Sequence, residues 1–351
     1  MESDGILIMS LSKRIRILAE TGIILESVSQ GNDIENFPGF SKIEAHNPWF
    51  TTKNVQYALH EWSLLLTVDN LTNWISDYKI NDDYTNKKKL GIIMAGNIPL
   101  VGMHDFICAY IVGVDMRIKL SSKDSVLMKW YIELIKEKDP DFLTKIQVFE
   151  NNISDFNVVI ATGSNNSNRY FNEYFKKYPK ILRHNRSSIA VLDGNESNKD
   201  LENLADDIFM YFGLGCRNVS HLFVPEGYKF DNLAKAFEKY ADIINNNKYA
   251  NNFNYQYTLI AMNRVLHINM NIALLIKSPS IHSPVSIINY QNYKDKSEVN
   301  NIISTNKSNI QCIVSNDSEI LNSINFGTTQ KPSLSDYADN VDTLKFLLNL
   351  H

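Results

Sequence analysis

Cysteine is scarce in this chain, with three in 351 residues, at positions 108, 216 and 312. An odd number so widely spaced excludes a disulfide framework, and none has the paired spacing of a zinc site, so a reducing, cytoplasmic setting is expected. Positive charge is not in excess either. Lysine and arginine total 35 against 39 acidic residues, a net charge of −4, which denies the chain the basic field that phosphate-dominated nucleic-acid binding requires. Long apolar runs are missing as well. The longest, around Phe106 to Val114, is far short of the roughly 20 residues that cross a bilayer, and the opening Met-Glu-Ser-Asp has no positive n-region, so neither a membrane span nor an export signal is expected. The intact G-x-G-x-x-G of a dinucleotide loop is also absent. Gly213-Leu-Gly215 follows a helical pattern, where that fingerprint would follow a strand.

Core-forming material, by contrast, is plentiful: 44% hydrophobic and 11% aromatic residues, ample for two domains. Residues 1–85 read as a helical preamble, with apolar side chains at helical spacing at Leu11, Ile15 and Leu18 and again from Leu59 and Trp62 to Leu71 and Trp74. From Leu90 strands and helices alternate. Strand patterns at 91–94, 114–120, 146–149 and 157–161 are interleaved with two helices. One is capped by Ser121 and buries Leu127, Trp130, Leu134 and Ile135; the other carries Tyr170, Phe171, Tyr174 and Phe175 on one face. That alternation predicts an α/β fold built on a doubly wound, Rossmann-type parallel sheet. A smaller α/β unit follows, with strands at 188–192, 222–224, 273–276, 285–288 and 311–314 and helices at 198–212, 232–243 and 299–303. The asparagine-rich stretch 245–257 is expected to be a loop, because its polarity offers no packing face.

Three sites in this pattern can carry chemistry. Cys108 and Cys312 lie in apolar runs and read as core thiols. Cys216 stands apart in Tyr211-Phe-Gly-Leu-Gly-Cys-Arg-Asn-Val-Ser220, where a glycine turn gives a substrate access to the sulfur and lets backbone N–H groups face a developing oxyanion. On local sequence alone it is either a packing thiol or a nucleophile. Asn97, in the strand-to-helix turn Ala95-Gly-Asn-Ile-Pro-Leu100, either donates its amide to an oxyanion or caps the helix. Lys119 ends the next strand and suits a ribose or phosphate, or is simply a solvated charge. Thr162-Gly163-Ser164 ends a strand before a helix N-terminus, where backbone amides favour phosphate.

Asn97-Ile-Pro99, Lys119-Leu-Ser-Ser122, Thr162-Gly-Ser164 and Cys216 follow one another in the order and approximate spacing seen in the aldehyde dehydrogenase superfamily. More closely, Gly96-Asn-Ile-Pro-Leu-Val-Gly-Met-His-Asp105, Asn185-Arg-Ser187, Gly213-Leu-Gly-Cys-Arg-Asn-Val-Ser220 with Val224-Pro-Glu-Gly227, and the ending Asp336-Tyr-Ala-Asp339 with Val341-Asp-Thr343 resemble the acyl-CoA reductase family, from about residue 45 onward. The resemblance implies an aldehyde-dehydrogenase-like fold: N-terminal helices and a cofactor domain over 1–186, a cysteine domain over 187–320, and a segment 321–351 returning to the cleft between them. It also implies reduction of an acyl thioester to an aldehyde, with Cys216 as the thiolate nucleophile and with Asn97 and the backbone N–H of Cys216 holding the oxyanion. Lys119 and Ser122 would hold the adenosine ribose, and Thr162, Gly163 and Ser164 would flank the pyrophosphate or nicotinamide side. NADPH is the expected cofactor, with NADH as the alternative, acyl-CoA or an acyl carrier protein is the expected partner, and a homodimer is the assembly considered.

The chain departs from the superfamily pattern at three places. Leu182-Arg-His-Asn-Arg-Ser187 stands where hydrolysing aldehyde dehydrogenases carry a glutamate base, so no carboxylate there activates water and the acyl enzyme favours reduction or transfer to a thiol. Ser122 replaces the glutamate of NAD-preferring members, so a 2′-phosphate meets no repulsion. Ser280 takes the place of a further glutamate expected at the nicotinamide ribose. His184 as a substitute base and His104 as a proton donor both rank behind structural roles. A cysteine acyltransferase that never reduces, and a non-catalytic member of the fold, remain open readings.

Overall fold

The computed structural model describes residues 10–80, 88–163 and 165–350; Ser164 and the stretches 1–9 and 81–85 of the expected helical preamble lie outside the described residues. The chain divides into two units. One contains the described residues up to His184 and again from Ser333 on, and the other is Asn185–Pro332.

Hydroxyl caps organise the start of the first unit. Ser10, Thr51 and Thr67 each accept an N–H from the third residue onward, satisfying one of the donors a helix start leaves unpaired. These caps open α1 (Leu11–Ser29), α3 (Thr52–Leu65) and α4 (Val68–Ile75), with α2 (Phe40–His46) between the first two. Leu11, Ile15, Leu18 and Leu25 of α1 and Val55 and Leu59 of α3 are buried at helical spacing, packing the two helices together.

Five strands follow: β1 (Lys89–Ile93), β2 (Asp115–Lys119), β3 (Ile146–Phe149), β4 (Val158–Thr162) and β5 (Lys180–Arg183). All pair in parallel, in the order β3-β2-β1-β4-β5. The crossovers carry α5 (Met103–Val112), α6 (Ser125–Lys138) and α7 (Asn165–Tyr174). Leu90, Ile92, Met116, Ile118 and Ile160 are all buried, the continuous burial of a parallel sheet covered on both faces. The chain runs from β1 outward to β2 and β3 and then returns to β4 beside β1, so the order reverses between β1 and β4. In open parallel sheets ligands bind at the carboxyl ends of the strands at such a point.

The second unit contains β6 (Ser187–Val191), α8 (Asn198–Phe209), β7 (Val219–Pro225), α9 (Asp231–Phe237), α10 (Asn247–Met262), β8 (His267–Asn269), β9 (Leu274–Lys277), β10 (Ile287–Tyr293), α11 (Lys296–Thr305) and β11 (Ile310–Val314). Its sheet runs β11-β6-β7-β10-β9-β8, parallel except for the short edge strand β8. The chain then re-enters the first unit, where α12 (Thr343–Leu348) buries Leu344 and Leu347 in the same core as α5, together with Leu334 and Tyr337.

Four local expectations are corrected. The stretch 245–257 is mostly helix, not loop: Asn246 caps α10 by accepting from Lys248 and Tyr249 N–H, and Tyr249, Phe253 and Ile260 supply the packing face. α6 begins after Asp124 instead of at Ser121. On α7 and just beyond it Phe171 and Phe175 pack against each other, while Tyr170 and Tyr174 are exposed. α8 ends at Phe209, three residues before the predicted end, for a reason that belongs to the Cys216 turn.

Candidate active site

Strand register sets Lys119, Ile93 and Ala161 level across β2, β1 and β4. The segments that follow them, residues 120–124, 94–99 and 162–163, therefore leave the sheet side by side at the reversal point. Two glycines allow close approaches here, Gly96 to the 120–124 segment and Gly163 to α7. A Cβ on Gly96 would fall 2.6 Å from Ser121 Oγ and 3.0 Å from the Asp124 backbone nitrogen, and one on Gly163 would fall 2.8 Å from Phe171 Cε2. Leu100, left-handed at φ 57°, donates its N–H to Asp124 Oδ2 at 2.8 Å. Asp124, which bridges the two loops, is buried, and burial pushes its carboxyl well above the usual carboxylate range. α2 closes on the same place: His46 Nε2 donates to the Ser122 carbonyl at 2.7 Å, and Asn47 Nδ2 donates to the Lys123 carbonyl at 3.0 Å.

Beside this edge lies a cavity of about 1030 Å³, lined by Ile93, Lys119, Ser122, Val148 and Phe149, with Lys42 and Lys129 also in its walls. Glu35, Glu133, Glu137 and Glu150 line it as well, so apolar residues and charges of both signs share one space. Asn97 is half-buried in the bend after β1, and Thr162 ends β4 with Gly163 next to it. The structure brings Asn97, Lys119, Ser122, Thr162 and Gly163 to one edge of one sheet. Cys216 belongs to the second unit, and Ser164 lies outside the described residues. Among the described residues no cluster of His, Cys, Asp or Glu could hold a metal ion.

The Thr162–Gly163 edge is braced from behind. Asn168 Nδ2 donates to the Arg183 carbonyl at 2.8 Å and lies 3.1 Å from His184 Nδ1, which gives His184 a structural contact. The Arg183 guanidinium grips Asp105 twice, Nη2 to Oδ1 at 2.5 Å and Nε to Oδ2 at 3.0 Å, and also donates to the Ala338 carbonyl and to Thr343 Oγ1. Burial alone would raise Asp105, but the charge and hydrogen bonds of Arg183 hold it below the usual carboxylate range. His104 Nε2 donates to the Leu334 carbonyl, and its ring sits between Trp74 and Tyr337, a packed role. The pairing of Asp105 with Arg183 was not legible in the sequence. Its one signal was ionic residues inside otherwise apolar patterns.

Cys216 is half-buried, whereas Cys108 and Cys312 are buried. It follows an unusual turn: Tyr211, Phe212 and Gly213 are consecutive left-handed residues, at φ 53°, 61° and 72°. Each of the two aromatics costs roughly 1–2 kcal/mol in that conformation, offset by burying both rings, with Phe212 packed 6.0 Å from Tyr249. Three anchors hold the residues that follow. Ser188 Oγ donates to the Cys216 carbonyl at 3.0 Å, Arg217 Nε donates to the Thr329 carbonyl at 2.6 Å, and Asn218 Oδ1 accepts the Gly215 N–H at 2.8 Å. The Leu214 and Gly215 amides are spent inside the turn, which removes them from the donors that the glycine turn offered. Asp207 accepts from the N–H groups of Gly327 and Thr329 and from Thr329 Oγ1, and burial raises its carboxyl to about 6.

Ser280, where a glutamate was expected, donates its hydroxyl to the His282 carbonyl. Its own carbonyl accepts from His221 Nδ1 and Asn289 Nδ2. The His221 ring is buried, which lowers its pKa to about 4.

Solved structures with this fold are aldehyde dehydrogenases. Aldehyde dehydrogenase 21 of Physcomitrella patens, in complex with the reaction product succinate, superposes with a TM-score of 0.65 at 11% identity, over 97% of this chain and 84% of that one. Betaine aldehyde dehydrogenase of Staphylococcus aureus, in complex with NAD+, gives 0.64 at 11% identity over 88% and 71%. The glyceraldehyde-3-phosphate dehydrogenase GapN of Methanocaldococcus jannaschii, complexed with NADP, gives 0.62 at 13% identity over 88% and 77%. At these identities the likeness is one of fold. The sequence matches none of the curated proteins compared with it, while residues 36–325 match the family model described as acyl-CoA reductase (LuxC).

Proposed function

Since this chain belongs to the acyl-CoA reductase family, we propose that it reduces an acyl thioester, of CoA or of an acyl carrier protein, to an aldehyde with NADPH, through an S-acyl intermediate on Cys216. The observation that most supports a nucleotide site is the level edge formed by Lys119, the 94–99 loop and Thr162–Gly163, where Ile93, Met94 and Lys119 line a cavity of about 1030 Å³. The residues present fit a dinucleotide. Ile93, Val148 and Phe149 offer apolar contact to a base, and Lys119 and Ser122 offer a cation and a hydroxyl to a ribose. Two of the structural neighbours are complexes with NAD+ and with NADP, and Ser122 presents no carboxylate to a 2′-phosphate. Thr162, Gly163 and, by its motif, Ser164 would flank the pyrophosphate or nicotinamide side.

In this reading the Cys216 thiolate attacks the thioester carbonyl, and the C–S bond to CoA or carrier breaks. The departing thiol takes up the proton, and the acyl group stays on the cysteine. The backbone N–H of Cys216 and, on its sequence motif, the Asn97 amide would stabilise the oxyanion of that step. When bound, the reduced nicotinamide supplies hydride to the acyl carbon. Cys216 is then the leaving group, as the resulting thiohemiacetal collapses to free aldehyde and thiol.

The test is NADPH oxidation with a panel of acyl-CoA thioesters, comparing wild type with Cys216→Ser. Turnover that depends on chain length and vanishes in the variant is the expected result. An acyl adduct on Cys216 with no NADPH consumed would move the assignment to acyl transfer.

A further inference from the structure

The left-handed turn before Cys216 is held largely by one side chain. Asn218 Nδ2 donates to the carbonyls of Asp207 at 3.1 Å, Ile208 at 3.3 Å and Met210 at 2.9 Å, the groups that the end of α8 leaves unpaired. Its Oδ1 takes the Gly215 N–H, and its own backbone N–H donates to the Gly215 carbonyl at 3.1 Å. Only an amide of this length supplies a donor to the helix end and an acceptor to the turn from one position: aspartate lacks the donor, serine is too short, and glutamine adds a methylene to a site where Asn218 is only 3% exposed.

We infer that Asn218 is the positioning residue for Cys216, stopping α8 at Phe209 and fixing the turn that holds the half-buried cysteine in a reactive position. The neighbouring anchors act on other atoms. Ser188 fixes the Cys216 carbonyl, and Arg217 ties the following residue to Thr329, whereas Asn218 binds the chain on both sides of the left-handed residues, at Met210 and at Gly215. Without the Asn218 amide, the Met210 carbonyl and the Gly215 N–H lose their partners. Right-handed backbone, which two aromatics prefer, then carries Cys216 out of place.

The inference rests on Cys216 being the nucleophile, yet its test needs neither cofactor nor thioester. The full chain is treated with iodoacetamide from pH 6 to 9, and alkylation of each cysteine is followed by mass spectrometry in wild type, Asn218→Ala and Asn218→Asp. Tyr293→Phe, which deletes a buried hydrogen bond to the Leu192 carbonyl in the same unit, serves as the control. The expected result is a Cys216 rate reduced on the order of tenfold in both Asn218 variants, the size of one or two lost hydrogen bonds. Cys108 and Cys312 should stay protected, and the control should match wild type. An unchanged Cys216 rate overturns the inference. So does a faster one, which would show that Asn218 restrains the sulfur instead of presenting it. So does equal exposure of all three cysteines, which would mean that Asn218 serves stability alone. Reductase activity surviving in Cys216→Ser would overturn the proposed function and leave this measurement intact.

Discussion

The Arg183–Asp105 pair shows what single residues decide here. Both partners are buried, the contact is bidentate, and the remaining guanidinium donors go to Ala338 and Thr343. Removing one partner of such a pair costs more than the pair itself is worth, because the other is left as an uncompensated buried charge. Arg183→Met is therefore expected to lose about 3–5 kcal/mol in denaturant unfolding, and adding Asp105→Asn should restore a large part of it. A double variant no more stable than Arg183→Met would contradict this. Cys216, Asn97 and Lys119 were legible as candidates because each stands at the end of an element pattern, where chemistry is usually displayed. Asn218 was not, because an asparagine that caps a helix from beyond its end has no periodic signal, and its partners at 207, 208 and 210 become neighbours only once the turn is left-handed.

Among the elements, the parallel sheet of the first unit was the most readable part of the sequence, since strands buried on both faces appear as apolar runs separated by amphipathic helices. β5 escaped because it has only four residues beside Pro179. α10 escaped because its asparagines masked an aromatic face spaced at i, i+4 and i+11 through Tyr249, Phe253 and Ile260. Its start depends on Asn246, whose side chain accepts two backbone N–H groups. Asn246→Ala should cost about 1 kcal/mol and increase amide hydrogen exchange in the first turn of α10. Exchange there equal to wild type would show that packing of Tyr249 alone sets the helix start.

For the molecule as a whole, two buried groups of the second unit oppose each other as pH falls. His221 is held near 4 by burial, below the usual 6.5, so stability is present above about pH 6.5 and is lost as pH falls toward 4, because only the unfolded chain takes up the proton. Asp207 is raised from 3.8 to about 6, so the folded chain binds a proton first and gains stability over nearly the same range. Each contribution is roughly 3 kcal/mol in full. Urea unfolding between pH 6.5 and 5 should therefore show Asp207→Asn losing stability with acid more steeply than wild type, and His221→Gln less steeply. Parallel profiles for the three proteins would refute the compensation.

The first unit is interrupted: it is left at His184 and resumed at Ser333. During synthesis Arg183 leaves the ribosome before any of the second unit exists, whereas Ala338, Thr343, Leu344 and Leu347 follow only after all of it has been made. The second unit, being continuous, can close first. The earlier-made sheet must wait with Asp105 and Arg183 unlatched from the C-terminal segment and with the apolar seat of α12 open, a stage at which nascent chains are prone to aggregate.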